Sequence, residues 1–291
     1  MNLLFGVNKF YLDPTGNTPT SKSNTTYTYG IIGEVGKGFS LFASKSATVQ
    51  FTNQQSTIGP GVLPSDNVRT LDSEEDKGIE FGLKTTWNDN EWTGTISYYD
   101  DQRNGVVGGD VLKTLTDPRN TSGTQVQHFV NGGLYKSRGI DADLTWTPNR
   151  QFQMVFNYNH SLEANIVSDP SVNPNTPGTL DYQKKFQRPL SQSPRNRFNL
   201  VGKYNFLGGA LNNVSVGGAV RYSSTYSITN ATTIDMWAPA ETLFDAFVAY
   251  RTKLFGTTTD LKLNVTNITD VRNDYTWGNG REIFLSAGLR F

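Results

Sequence analysis

This chain of 291 residues contains no cysteine, so it has neither a disulfide framework nor a thiolate metal site. It has no apolar run long enough to cross a membrane as a helix, and its mean hydropathy is −0.47. That excludes helical membrane proteins but not β-barrels, whose wall alternates apolar and polar residues. Charge is balanced, with Lys+Arg 26 against Asp+Glu 26, which leaves no basic patch for nucleic acid. Histidine is scarce: His128 and His160 lie far apart without ligand spacing, so no metal site is expected. No nucleophile elbow, phosphate loop or zinc motif occurs, and an enzyme is the weakest reading. Met1 to Val7 lack a basic region, a sustained apolar core and a cleavage site. An exported protein needs such a signal, so the expectation is a fragment that begins inside a longer protein.

What is present is a rhythm. Twelve candidate strands are joined by connections that alternate long and short. The long ones cover 13–25, 49–77, 104–134, 161–195, 225–240 and 269–280; the short ones cover 36–38, 88–91, 147–150, 207–212 and 253–259. Antiparallel strands joined this way put every long connection at one end of a sheet. An outer-membrane barrel sorts its connections so, with short periplasmic turns and long extracellular loops. Period-two alternation supports strands. Ile79, Phe81, Leu83 and Trp87 share a face, as do Ile140, Ala142, Leu144 and Trp146, and Leu261, Leu263 and Val265. A soluble β-protein shows the same alternation. Aromatic placement favours the barrel: Trp87, Trp92, Trp146, Phe152, Tyr204 and Phe206 sit beside short turns, where a membrane-interface girdle lies. The short turns carry suitable residues in Asn88-Asp89-Asn90, Pro148-Asn149 and Gly208-Gly209. The weakest strands are 2–12, 27–35 and 39–48. The last strand aligns Ile283, Leu285, Ala287, Leu289 and Phe291 on one face and stops on an aromatic.

Several segments together resemble the TonB-dependent outer-membrane receptors. They are Tyr29-Gly30-Ile31-Ile32-Gly33-Glu34, Glu80-Phe81-Gly82-Leu83-Lys84, Arg138-Gly139-Ile140-Asp141, Asn267-Ile268-Thr269-Asp270 and the terminal Gly288-Leu289-Arg290-Phe291. The resemblance runs along nearly the whole chain, 1–291, and matches the C-terminal part of that family's barrel. It implies an all-β antiparallel transmembrane barrel, with about twelve strands of a probable 22 and no plug domain in this sequence. It also implies residence in the outer membrane, contact with the lipid bilayer, and energising by TonB in the full-length protein. The ligand implied is a siderophore-like small molecule, most often a ferric siderophore; cobalamin, other chelates and oligosaccharides stay open. The closing strand, through Ile283, Leu285, Leu289 and Phe291, is the segment expected to engage the barrel-assembly machinery. No cofactor is expected.

In such receptors ligand contacts come from the long connections and upper lumen. The candidates are Arg188, Arg195, Tyr226, Trp237, Tyr275, Trp277 and Arg281, because arginine forks to carboxylates and rings stack on conjugated chelates. Arg221, Arg251, Lys262 and Arg290 are expected to face the lumen. Asp141 and Asp143, beside Arg138, read as part of a lumen charge network rather than an acid–base pair. The run Asp72-Ser73-Glu74-Glu75-Asp76 reads as solvated loop, with Ca²⁺ as the sharper option. A passive porin, complete as it stands, and a soluble β-rich binding protein are the competing readings.

Overall fold

The computed structural model of the protein describes residues 1–12, 22–121, 123, 125–228, 236–254, 256–273 and 280–290. Along the chain it forms β1 (Asn2–Leu12), β2 (Lys22–Gly36), β3 (Phe39–Gln50), β4 (Thr57–Ile58), β5 (Glu74–Trp87) and β6 (Trp92–Gly109). Next come helix α1 (Val111–Thr116), β7 (Gln127–Trp146), β8 (Phe152–Ser168), helix α2 (Leu180–Phe186), β9 (Asn196–Asn205) and β10 (Val214–Ser223). The chain continues through β11 (Tyr226–Ser227), β12 (Trp237–Ala238), β13 (Glu241–Leu254), β14 (Thr257–Thr266) and β15 (Glu282–Arg290). Twelve of the strands make one path, β1-β2-β3-β5-β6-β7-β8-β9-β10-β13-β14-β15, and every neighbour pair in it is antiparallel. All twelve expected strands form, including the three weakest.

Register carries the apolar residues across the wall in rows. One row runs from Phe5 to Tyr29, and another from Leu41 through Leu83 and Ile96 to Ala142. A third runs from Tyr204 through Val216, Val248 and Leu263 to Leu285. These side chains are not covered: Phe81 is 52% exposed and Leu285 80%. The few buried apolar residues, such as Leu71, Val126, Ile166 and Val172, lie at the long-connection end or at the tops of the strands there. A soluble sandwich would bury its apolar face against a second layer. Here no such layer exists among the described residues, so the face suits a hydrocarbon medium.

The two ends of the wall differ as the rhythm predicts. Short connections span 37–38, 88–91, 147–151, 206–213 and 255–256. At the first, Gly38 has φ +77, and a Cβ there would meet the Thr86 carbonyl, whose own amide donates to the Gly38 carbonyl at 2.7 Å. Asn88, Asp89 and Asn90 are all left-handed, with φ 54, 52 and 70, a conformation these short polar residues tolerate. The Asn149 carboxamide oxygen accepts from the amides of Gln151 and Phe152, both at 2.9 Å, and closes that turn. Trp92 stacks on Trp146 with centroids 5.1 Å apart, Phe152 meets Trp146 edge-on at 5.4 Å, and Trp87 lies opposite Trp92. The expected girdle is therefore a continuous band, and such ring pairs add about 0.5–1.5 kcal/mol each beyond burial.

The strands are longer than expected at the other end. β6 continues to Gly109, β7 starts at Gln127 and β8 runs to Ser168. Alternation breaks there because Gly105 in β6, Gly132 in β7, and Leu162 and Val167 in β8 are skipped in the pairing, which shifts the period. Two short helices and the two-residue strands β4, β11 and β12 also stand where only loop was expected.

The face assignment predicts a difference between neighbours on one strand. Leu263→Arg, at mid-wall on the apolar face, is expected to destabilise the folded protein in lipid vesicles by about 2–4 kcal/mol. Asn264→Arg, one residue on, is expected to cost about 1 kcal/mol or less. Urea titration read by the heat-modifiable band on cold gels measures both; equal losses would show the faces to be misassigned.

Candidate functional site: the long-connection end

Three of the long connections build an ordered layer at one end of the wall. The 51–73 segment folds back on itself: the Leu71 amide donates to the Gln54 carbonyl at 2.9 Å and the Ser56 amide to the Arg69 carbonyl at 2.8 Å. Its β4 then pairs with the start of β7, Thr57 opposite His128. The 110–126 segment is held from inside by Asn120. Its side-chain amide donates to the carbonyls of Thr114 and Val126, both at 2.8 Å, and its oxygen accepts from the amides of Gln125 and Val126. Val126 is fully buried beneath this pair of segments.

A charged cluster locks the two segments together. The Arg119 guanidinium forks onto Asp117, at 2.6 and 2.9 Å, reaches Asp66 at 2.8 Å and donates to the Gly61 carbonyl at 3.0 Å. His128, 4% exposed, sits against Asp117 through Nε2 at 2.8 Å and against the Thr57 hydroxyl through Nδ1 at 3.3 Å. The side-chain hydrogen bonds from Arg119 hold both Asp117 and Asp66 below the ordinary carboxylate value, and those carboxylates in turn raise Arg119. His128 is thus a structural member of the lock. His160 is elsewhere, against Asn196 at 2.7 Å, and no group of metal-ligating side chains occurs among the described residues.

The 169–195 segment carries α2, whose N-cap is Thr179. Lys185 reaches back to Asp169 at 3.0 Å. Burial alone would push the Asp169 carboxyl up, but hydrogen bonds from the Ser171 hydroxyl, Lys185 and the Ser171 amide outweigh it and leave it low. Tyr182 and Phe186 meet edge-on, with centroids 4.9 Å apart. With Asp110, Val130, Glu163 and Asp169 they line a cleft of about 660 Å³.

Of the expected ligand residues, Arg188, Tyr226 and Trp237 come from two connections that meet. The Gln192 amide donates to the Ser227 carbonyl at 2.7 Å, and β11 pairs Tyr226 with Ala238. The Arg188 guanidinium lies 5.7 Å from the Trp237 ring centroid. Arg195 is exposed at the base of β9, and its carbonyl accepts from the Ser161 amide. Arg281 belongs to a separate corner: its amide donates to Asp270 at 2.7 Å, which holds that carboxyl low, and its side chain reaches the Ile268 carbonyl at 3.4 Å. Tyr275 and Trp277 lie outside the described residues, as does Phe291. Ile283, Leu285 and Leu289 line the apolar face of β15.

On the polar face of the wall, Arg221 forks onto Asp245 at 2.8 and 3.0 Å, and Arg251 meets Asp260 at 2.6 Å. Lys262 lies 4.8 Å above the Phe247 ring, and the Arg290 side chain is outside the described set. Arg138 is not beside Asp141 and Asp143. It points to the other face and pairs with Glu163 at 2.8 Å, because one residue of strand separates the two parities. The acidic run is not loop throughout: β5 begins at Glu74. Glu74 pairs with Arg103 across the sheet while Glu75 pairs with Lys77 on the opposite face, so the carboxylates diverge and do not form a Ca²⁺ cradle.

These features define a β-barrel wall with a structured loop layer at one end. The chain belongs to the TonB dependent receptor-like β-barrel family, whose profile matches residues 6–268. An uncharacterized TonB-dependent receptor of Haemophilus influenzae is 24% identical over 267 residues, which is 91% of this chain and 68% of that protein. Among solved structures, the ferric preacinetobactin receptor of Acinetobacter baumannii superposes with a TM-score of 0.72 at 16% identity, over 99% of this chain and 40% of the receptor. The siderophore receptor PiuA of the same organism gives 0.69 at 19% identity, over 98% and 40%. The ferripyoverdine receptor of Pseudomonas aeruginosa gives 0.66 at 18% identity, over 94% and 34%. The chain therefore spans about 40% or less of the length of these solved receptors.

The charged lock sets two expectations. Asp117→Asn removes the fork that holds Arg119, and trypsin is expected to cut at Lys113 about tenfold faster while the wall stays folded. Depressed carboxyls stabilise above their unfolded value and lose that contribution as pH falls through the folded value. Protection at Lys113 is therefore expected to be unchanged from pH 7 to about pH 5, and lost only below about pH 4, the ordinary carboxylate value. Acid-pulse proteolysis reads this directly.

Proposed function

We propose that this chain is a single barrel domain, residues 1–291, supplying part of the wall and the ligand-facing loops of an outer-membrane receptor. In this reading the receptor takes up a scarce solute, a ferric siderophore, with energy delivered through TonB. The long connections face the outside of the cell, a plug domain occupies the lumen, and β15 engages the barrel-assembly machinery through Ile283, Leu285, Leu289 and Phe291. The ligand-facing set comprises Arg188, Arg195, Tyr226, Trp237, Tyr275, Trp277 and Arg281.

The observation that carries the reading is the meeting of two long connections through Arg188 and Trp237. A guanidinium and an indole at the loop end provide both a fork for carboxylate or catecholate oxygens and a face for a conjugated ring. Family membership and the siderophore receptors among the structural neighbours support the same solute class.

The test is titration of the purified receptor in detergent with ferric catecholate and ferric hydroxamate chelates, followed by tryptophan fluorescence. Binding of one class is expected, with Arg188→Ala and Trp237→Ala each weakening it about tenfold, or about 1.4 kcal/mol. A receptor that binds neither class but conducts ions freely in planar bilayers is a passive channel instead.

A further inference from the structure

The apolar face of the wall is charged along one stretch of its rim. Register puts Lys45 on β3, Lys77 on β5, and Lys136 and Arg138 on β7 on that face. Lys9 on β1 shares it. All of them lie toward the long-connection end. Lys45 stands opposite Ile79, one step above the row formed by Ala43, Phe81, Tyr98 and Ile140. On the wall strands from β8 to β15 the same parity holds no lysine or arginine among the described residues. The outward cations are therefore gathered on one side of the wall and at one height.

That height is marked a second time. Tyr27 and Tyr29 are exposed on the same face, with stacked rings 6.4 Å apart, and Tyr29 stands directly opposite Lys45. Outward tyrosines suit the headgroup level of a bilayer. Three carboxylates share the rim. Glu75 takes Lys77 at 2.8 Å, Glu163 takes Arg138 at 2.8 Å, and Asp100 stands opposite Arg138. Lys45 and Lys136 have no carboxylate partner among the described residues. They lie three strand spacings apart, about 14 Å, with Lys77 between them.

We infer that Lys45, Lys77 and Lys136 form an outward-facing site for the phosphorylated headgroup of a membrane lipid. Lysine stems run along apolar surface while the ammonium reaches past its edge. A free anion would meet the ammonium groups and leave the apolar row below them uncovered. An anionic lipid meets both demands, with its chains along Phe81 and Ile140 and its phosphate at the lysines. Two unneutralised ammonium groups this far apart favour a headgroup that carries more than one phosphate. The inference rests on the placement of the wall in a bilayer and is independent of the solute.

The test is titration of the purified protein in dodecyl maltoside micelles with diphosphoryl lipid A, with phosphatidylcholine, and with lipid A in the presence of inorganic phosphate. Native mass spectrometry counts the bound lipid. Diphosphoryl lipid A is expected to bind about tenfold more tightly than phosphatidylcholine, and Lys45→Ala/Lys77→Ala/Lys136→Ala to remove that preference. Lys203→Ala/Lys262→Ala, on the polar face, is expected to keep it. Equal binding of the two lipids by wild type overturns the inference, as does equal loss in the two variants. Displacement of lipid A by an equal concentration of inorganic phosphate also overturns it, because the site would then be one for free anions. Folding is read by heat-modifiable mobility; if the triple variant does not fold, Lys45→Ala and Lys136→Ala singly decide by the same readout. Chelate titration of the same samples separates the two readings. Selective lipid binding without chelate binding sinks the siderophore reading alone, and chelate binding without lipid selectivity sinks the lipid site alone.

Discussion

The structure depends on one constraint: in hydrocarbon, every backbone amide and carbonyl of a spanning segment must be paired within the protein. The continuous antiparallel path from β1 to β15 meets it for the interior strands, because each of them pairs on both sides. The turn end follows from the same demand. A chain that reverses within a few residues leaves little backbone outside the ladder, which is why left-handed Asn88 to Asn90 and the cramped Gly38 stand there. The aromatic band beside these turns adds ring stacking at the end with the least chain. β1 and β15 run in opposite directions, so a direct pairing of their outer edges is antiparallel.

The other end obeys different physics. Its connections are free of the hydrocarbon constraint and have enough length to build small cores of their own around Leu71 and Val126. Ion pairs hold these cores together: Arg119 links segments more than fifty positions apart through Asp66, and Lys185 ties α2 to Asp169. A pre-ordered layer loses less conformational entropy when it closes on a ligand. The Arg188–Trp237 contact lies at the junction of two such connections. Under the proposed reading, connections braced in this way present their ligand-facing groups at low ordering cost.

Much of this was legible from residue order. Alternation placed Phe81, Leu263 and Leu285 on the apolar face and Arg221 and Arg251 on the polar one, because a strand has only two faces and parity assigns them. Arg138 shows the limit, since reading it with Asp141 ignored that parity. The upper parts of β6, β7 and β8 are not legible in the sequence because each skipped residue inverts the pattern that reveals a strand. The lock formed by Asp66, Asp117, Arg119 and His128 left no trace beyond ordinary polar loop composition, since its members share neither spacing nor periodicity.

The sequence by itself determined the twelve wall strands, the sorting of long from short connections and, wherever no bulge intervenes, the two faces of each strand. These follow from local periodicity and turn chemistry, which act over a few residues. Only the tertiary structure decided which carboxylates have cations, which loop residues meet, and that the outward lysines gather on neighbouring strands. Those outcomes depend on lateral neighbours brought together by register across many strands, and no short stretch of chain contains both partners.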